Sequence, residues 1–219
     1  PSAYREVYGH AHAAPELLPR FVCAVPEHAP GARSLHACQP GCFTTATLLA
    51  SVPLLAAGLV TPRVRVSGVT GSTGAGKTLS TTTHHPERRS NLFAYAPLGH
   101  RHAPEMAALA QAATGLAVHY DFVPQAGPMA RGIYATVWLE LVAGASVEEA
   151  RAALAAAYAD SPFVAVLDRP PQLKDVVGSN RCQLAVAGEG GTVVVLSAID
   201  NLVKGAAGGA IQWMNRLLG

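Results

Sequence analysis

Between residues 45 and 58 the chain runs TATLLASVPLLAAG, without a charge and with apolar side chains at almost every helical angle. A helix apolar along one stripe can lie on a surface, but one apolar nearly all round must be enclosed. Any fold of this chain therefore has to wrap other elements around this segment, and Pro53 is expected to kink it. With 219 residues, half of them hydrophobic, there is material for one large domain with a real core. Charged residues make up only 14% and the formal net charge is +2. That balance offers no basic stripe for nucleic acid or an anionic membrane, and no apolar run is long enough to span a bilayer. The four cysteines, Cys23, Cys38, Cys42 and Cys182, form neither a CxxC pair nor a dense framework. In a chain of this size they point to a reducing, cytoplasmic compartment.

The enclosed helix opens on QPGCFTTA (residues 39–46). Pro40 and Gly41 force a sharp entry, Thr44 and Thr45 are candidate caps, and Cys42 stands at the helix mouth. Backbone N–H groups and the helix dipole favour negative charge there, so a thiol in that position is expected to ionise below its ordinary range. The competing reading is a buried, inert cysteine, since free Cys also behaves as a small core hydrophobe.

The remaining pattern is α+β. Residues 1–36 read as irregular, with Pro15, Pro19, Pro26 and Pro30 around one short strand at 21–25. Strands are expected at 63–69, 116–123, 133–142, 163–167, 184–187 and 193–199, mostly antiparallel. Helices are expected at 104–113 and 147–159, the second opened by a Ser146–Glu149 capping box, and at about 205–218. Residues 70–91 read as one long Gly-, Ser- and Thr-rich loop, a length that is usually functional.

Within that loop, residues 71–78 (GSTGAGKT) satisfy the phosphate-loop pattern G-x-x-x-x-G-K-[ST] after a strand. Lys77 would reach the phosphates, and Asp200, at the end of the apolar run VVVLSAID, would hold magnesium. The following residues, LSTTTHHPERRS, make a poor helix, and a phosphate loop needs one. A flexible Gly-rich loop beside a nucleotide phosphate is the alternative. His100 and His102, in GHRH, suit proton transfer near neutral pH, though such a pair also serves as two metal ligands; no third ligand has convincing spacing, and no metal is expected. His84 and His85 lie in the polar loop, where His84 is a substrate-binding candidate. Arg131, before the strand at 133–142, suits a carboxylate or phosphate, or is an ordinary surface arginine. Residues 200–205 (DNLVKG) form either a helix cap or a binding corner.

QPGCFTTA, SGVTGSTGAG, THHPER, LGHRHAPE, PMARGIYAT, VVGSN and SAIDNLVKGAAGGAIQWMNRLLG, in that order, resemble the C-terminal two-thirds of the N-acetyl-γ-glutamyl-phosphate reductase family. They also resemble its close relatives, the aminoadipyl-phosphate reductases of carrier-protein-dependent lysine synthesis. Cys38 and Gln39 depart from the Asn, Ser or Val usual before the Pro-Gly-Cys. The resemblance implies a glyceraldehyde-3-phosphate-dehydrogenase-like catalytic domain with a mixed or antiparallel sheet. It implies that Cys42 attacks an acyl phosphate to give a thioester, which NADPH reduces to a semialdehyde, with His100 or His102 as acid/base. Ser67, Gly68, Gly71, Ser72, Gly74 and Gly76 would lie by the cofactor pyrophosphate, Asn201 near the nicotinamide, and Arg131 and His84 by the substrate. Residues 1–41 would be the tail of an NADP-binding domain and 42–199 the catalytic and oligomer-forming domain. Residues 200–219 would be a helix packing back on the cofactor domain. The dinucleotide turn G-x-G-x-x-G should precede residue 1, so residues 1–219 alone are expected to bind NADP poorly and not to turn over. The expected partners are a small acyl phosphate, a second copy (dimer or tetramer), and an acidic amino-group carrier protein if Arg88 and Arg89 meet one. The arginine-pathway substrate is favoured over the lysine-pathway one.

Overall fold

The computed structural model describes residues 2–32 and 34–219; Pro1 and Arg33, which fall in the stretch read as irregular, lie outside them. In chain order the elements are α1 (Ser2–Tyr8), β1 (Phe21–Cys23), β2 (His36–Cys38), α2 (Cys42–Ala56), β3 (Val60–Thr70), α3 (His85–Arg88) and β4 (Phe93–Ala94). There follow α4 (His102–Thr114), β5 (His119–Ala126), β6 (Ile133–Leu141), α5 (Val147–Ala157), β7 (Val164–Leu167), α6 (Leu173–Val176), β8 (Cys182–Glu189), β9 (Thr192–Ile199) and α7 (Gly208–Leu218).

The charge-free segment is α2, and every side chain from Phe43 to Leu55 is buried. It lies on one face of a seven-stranded sheet of order β4-β5-β3-β6-β9-β8-β7, packed on β3, β6 and β9 and flanked by α4 and α5. Strand β6 makes the sidedness plain: Ile133, Ala135, Val137 and Leu139 are fully buried, while Trp138 and Glu140 are exposed on the other face. That open face carries the surface ion pairs Arg63–Asp121 and Arg65–Glu140, both at 2.8 Å. Leu48, Leu49, Leu54 and Leu55 are at most 1% exposed, so truncating any one to Ala is expected to cost about 2–5 kcal/mol.

Pro53 does not break α2. Having no N–H, it leaves the Leu49 carbonyl without its helical donor. The Tyr158 hydroxyl donates to that carbonyl at 2.7 Å, and His28 Nε2 lies 2.9 Å from the same hydroxyl.

The α+β class and the mixed, mostly antiparallel sheet stand, β3–β5 and β7–β8 being the parallel pairs among six. Several element boundaries are corrected. Residues 1–36 contain α1, a 3-10 turn at Pro15–Arg20 and the strand β1, which pairs with β2 in parallel. The short strand expected at 21–25 is β1, ending at Cys23, whereas the three-residue β2 is too short for a period to register in sequence. The strand expected at 116–123 is β5, displaced toward Ala126 because Gly115 closes α4 with φ +76°. The 70–91 loop holds two 3-10 turns, Ser72–Ala75 and Thr81–Thr83, followed by α3. The capping box of α5 forms as read, Ser146 Oγ accepting from the Glu149 N–H and Glu149 from the Ser146 N–H.

After Ile199 the chain makes a π-helical turn, Val203–Ala207, before α7. Helix α7 packs back on the N-terminal segment: Trp213 Nε1 donates to the Ala24 carbonyl at 3.0 Å. Beneath it Lys204 Nζ, fully buried, donates to Glu27 at 2.6 Å and to Gln212 at 2.8 Å. Burial alone would raise the Glu27 carboxyl, but Lys204 and the Gln212 amide outweigh it and hold it below its usual range. Removing either partner would leave an uncompensated buried charge.

Candidate active site at the mouth of the buried helix

Cys42 is the first residue of α2, with Gly41 as N-cap. Neither threonine caps the helix. Thr45 Oγ1 donates to the Gly41 carbonyl at 3.1 Å, and Thr44 Oγ1 donates to the carboxylate of Glu105 on α4. That carboxylate also accepts the Gly41 N–H at 3.2 Å, so an acid from a second helix closes the N-terminus of α2. Glu105 was legible in sequence only as a first-turn residue of its own helix. Across from the thiol, Gly205 of the π turn approaches so closely that a Cβ there would lie 2.6 Å from Cys42 Cβ. Burial raises the Cys42 thiol above its ordinary value; the N–H groups of Phe43 and Cys42 and the charge of Arg101 pull it down, and Glu105 adds to the rise. The thiol is therefore neutral at rest, not ionised as its helix-mouth position suggests. Enclosure outweighs the dipole.

The two histidines come to this mouth. Ala96 and Leu98 take left-handed φ values of 44° and 58°, an uncommon backbone that turns the chain sharply between Tyr95 and His100. The rings of Tyr95 and His100 lie 5.6 Å apart, and those of His100 and His102 4.7 Å apart, edge to face. Both imidazoles stand edge-on to Phe43 at 6.1 Å, and His102 lies against Gly41. The His102 N–H donates to His100 Nδ1 at 3.2 Å. A neutral His100 therefore carries its proton on Nε2 and can donate it outward. Burial, with Arg101 beside it, lowers His100; burial, then His100 and Arg101, holds His102 down to about 3. Both are neutral at pH 7. The Tyr95 hydroxyl is pushed up to about 12 by burial and then by Cys42. Beside His100 opens a cleft of about 250 Å³, bounded by Thr70, Gly74, Arg88, Tyr95 and Arg101.

Other candidates are arranged differently. The amides of Gly71, Ser72, Thr73, Gly74 and Gly76 donate to the carbonyls of Gly132, Met129, Ala130, Gly71 and Thr73. They are not free to cradle a phosphate or pyrophosphate. The next helix is the four-residue α3, Lys77 is exposed, and Asp200 is engaged elsewhere, so the phosphate-loop match does not form a triphosphatase site. Gly68 does not face a cofactor: it is buried in β3, where a Cβ would meet the Phe43 ring at 2.6 Å. Ser67 points to the open sheet face, its hydroxyl accepting from Gln125 at 3.0 Å.

Asn201 is 1% exposed and engaged at both ends. Its Oδ1 accepts from the Gly132 N–H at 2.7 Å and its Nδ2 donates to Thr73 Oγ1 at 3.1 Å. Arg131 grips Asp200 through Nε and Nη2 at 3.1 and 2.9 Å, not a free anion. Asp200 also accepts the N–H groups of Gly178, Leu202 and Val203. Burial would raise its carboxyl, but those N–H groups and Arg131 hold it below the usual range. Arg88 is buried, donating to the Gly127 and Thr70 carbonyls at 2.7 and 3.0 Å, so only Arg89 of that pair is exposed toward a carrier. His84 is exposed beside a shallow depression of about 660 Å³, whose lining contains none of Cys42, His100 and His102. Among the described residues no group of three metal-ligating side chains comes together, and no helix is long and apolar enough to cross a membrane.

Residues 42–201 match the family model described as "Semialdehyde dehydrogenase, dimerisation domain". The chain is 40% identical over 227 aligned residues to N-acetyl-gamma-glutamyl-phosphate reductase of Nitrosococcus oceani, covering 100% of this chain and 65% of that protein. It is 43% identical over 222 aligned residues to N-acetyl-gamma-glutamyl-phosphate reductase of Alkalilimnicola ehrlichii, covering 97% of this chain and 63% of that protein. The chain thus spans about 65% of the length of the curated relatives it matches. Among solved structures, aspartate semialdehyde dehydrogenase II of Vibrio cholerae superposes with a TM-score of 0.73 at 19% identity, covering 92% of this chain and 69% of that one. At that identity the likeness speaks for the fold.

Proposed function

Because the chain belongs to the semialdehyde dehydrogenase dimerisation-domain family, we propose that it is the thiol-bearing part of an N-acetyl-γ-glutamyl-phosphate reductase. The observation that carries this reading is Cys42, first residue of the buried helix, with two neutral histidines gathered against its neighbour Phe43 and a cleft opening beside His100.

In this reading Cys42 passes its proton to the departing phosphate as Sγ attacks the acyl-phosphate carbonyl. The C–S bond forms, the C–O bond to phosphate breaks, and the acyl group remains as a thioester. The N–H groups of Phe43 and Cys42 stabilise the sulfur as it becomes negative. His100, with Nδ1 engaged and Nε2 protonated, donates to the carbonyl oxygen as charge develops there. Neutral Tyr95 closes the same side. After reduction, the C–S bond of the thiohemiacetal breaks and the semialdehyde leaves. NADPH supplies the hydride for that reduction; the Gly71–Gly76 amides and Asn201 do not fit a pyrophosphate or nicotinamide site, so no step is assigned to them. The open sheet face bearing Trp138, together with the family's printed role in dimerisation, supports a homo-oligomer.

The test is phosphate-dependent oxidation of N-acetylglutamate semialdehyde by the complete protein, followed as NADPH appears. Cys42→Ser is expected to lower kcat by about 10⁴ or more; turnover within tenfold of wild type would overturn the reading.

A further inference from the structure

Cys23 and Cys38 have no part in the chemistry above, yet the fold sets them side by side. In the parallel pair β1–β2 the register is Phe21↔His36, Val22↔Ala37, Cys23↔Cys38. Partners in such a pair stand about 4.8 Å apart, and side chains two residues apart share a face. The Phe21 and His36 rings stack on one face, 5.1 Å apart and 29° from parallel. Two residues along, Cys23 and Cys38 return to that same face. Their Cα spacing falls within the roughly 4.4–6.8 Å that a disulfide bridges.

Both thiols are free; Cys38 is exposed and Cys23 partly buried. The neighbouring Cys23 thiol lowers the Cys38 thiol to about 7, although burial and Glu105 oppose this. The same contact, ahead of burial, raises Cys23. The outer sulfur is thus the one poised to attack, and the inner one keeps its proton and can resolve what the outer becomes. Cys42, four residues beyond Cys38, is more enclosed and shifted the opposite way.

We propose that Cys23 and Cys38 form a dithiol site that a peroxide closes to an intramolecular disulfide while Cys42 remains a thiol. The Cys38 thiolate attacks one peroxide oxygen: an S–O bond forms, the O–O bond breaks, and hydroxide leaves as water. Cys23 sulfur then attacks Cys38 sulfur: the S–S bond forms, the S–O bond breaks, and hydroxide departs with the Cys23 proton as a second water. Two thiols lose two electrons, and hydrogen peroxide is reduced to two waters.

The test is to expose the full chain to about one equivalent of hydrogen peroxide at pH 7, block free thiols, and map peptides without reduction. The expected result is loss of two of the four thiols, a Cys23–Cys38 cross-link, and Cys42 recovered in alkylated form. Cys42→Ala should retain the cross-link. Cys38→Ser should abolish it and slow oxidation of the remaining β1–β2 thiol roughly tenfold or more. Cys23→Ser should leave a dimedone-reactive sulfenic acid at Cys38. A cross-link from either sulfur to Cys42, or Cys42 oxidised before the pair, would overturn the proposal. Should a serine variant fail to fold, the wild-type map alone decides between these outcomes.

Discussion

The mouth of α2 and the corner formed by residues 70–76, 130–132 and 200–201 both carry residue types associated with chemistry, but they differ in what remains unengaged. At the corner, Asp200 accepts five hydrogen bonds, Asn201 is bonded at both ends, and five amides of the Gly-rich stretch already have carbonyls. At the mouth, His100 lines the cleft and keeps Nε2 free, and the buried Nδ1 of His102 has no hydrogen-bond partner. A saturated polar cluster is scaffold, because each group has already exchanged water for protein. Groups left open in a partly enclosed site are the ones available to a substrate.

The largest effect that sharpens this comparison is the loss of turnover expected for Cys42→Ser, with thermal stability nearly unchanged. The corner should behave in reverse. Asp200→Ala leaves Arg131 and three N–H groups unmatched, so denaturant unfolding should show about 3–5 kcal/mol lost. A change under 1 kcal/mol would mean that the corner is not the scaffold described.

Gly68→Ala tests how the two regions share β3. Its methyl would run into the Phe43 ring, so a loss of about 1–3 kcal/mol is expected, with a lower kcat as Cys42 and the histidines shift. Full stability in that variant would show that Phe43 can move freely.

The last expected effect, spread over several pH units rather than tied to one substitution, is on acid stability. Burial, working against Glu27, lowers His28 to about 4, and His102 lies at about 3. In the unfolded chain both bind a proton below about pH 6.5, while the folded protein resists until those lower values. Their contribution is complete above pH 6.5 and is lost as pH falls toward 4, at up to about 1.4 kcal/mol per pH unit for each ring. Midpoints in denaturant measured from pH 7 to pH 4.5 check this, and a flat profile would contradict the buried, neutral state of both rings.

Much of the fold was legible in sequence for reasons visible in particular residues. The absence of charge from residues 45–58 required an enclosed helix, strict alternation in β6 required a sheet with one buried face, and Ser146 with Glu149 marked the start of α5. Cys42, His100 and His102 were marked by residue type and local context, and the fold gathers them around Phe43. Glu105, Tyr95 and Gly205 left no such mark. Each matters through a contact made from far along the chain, and Tyr95 depends also on two left-handed residues of ordinary type.

What the sequence determined by itself was the set of elements and the residue types at their ends, because periodicity, capping and glycine placement act over a few residues. Tertiary structure decided the state of each group: that the Cys42 thiol is raised and not lowered, that Arg131 and Asp200 satisfy each other, and that Cys23 lies beside Cys38. Desolvation and hydrogen-bond pairing depend on every neighbour in space, and those neighbours come from segments that sequence spacing does not connect.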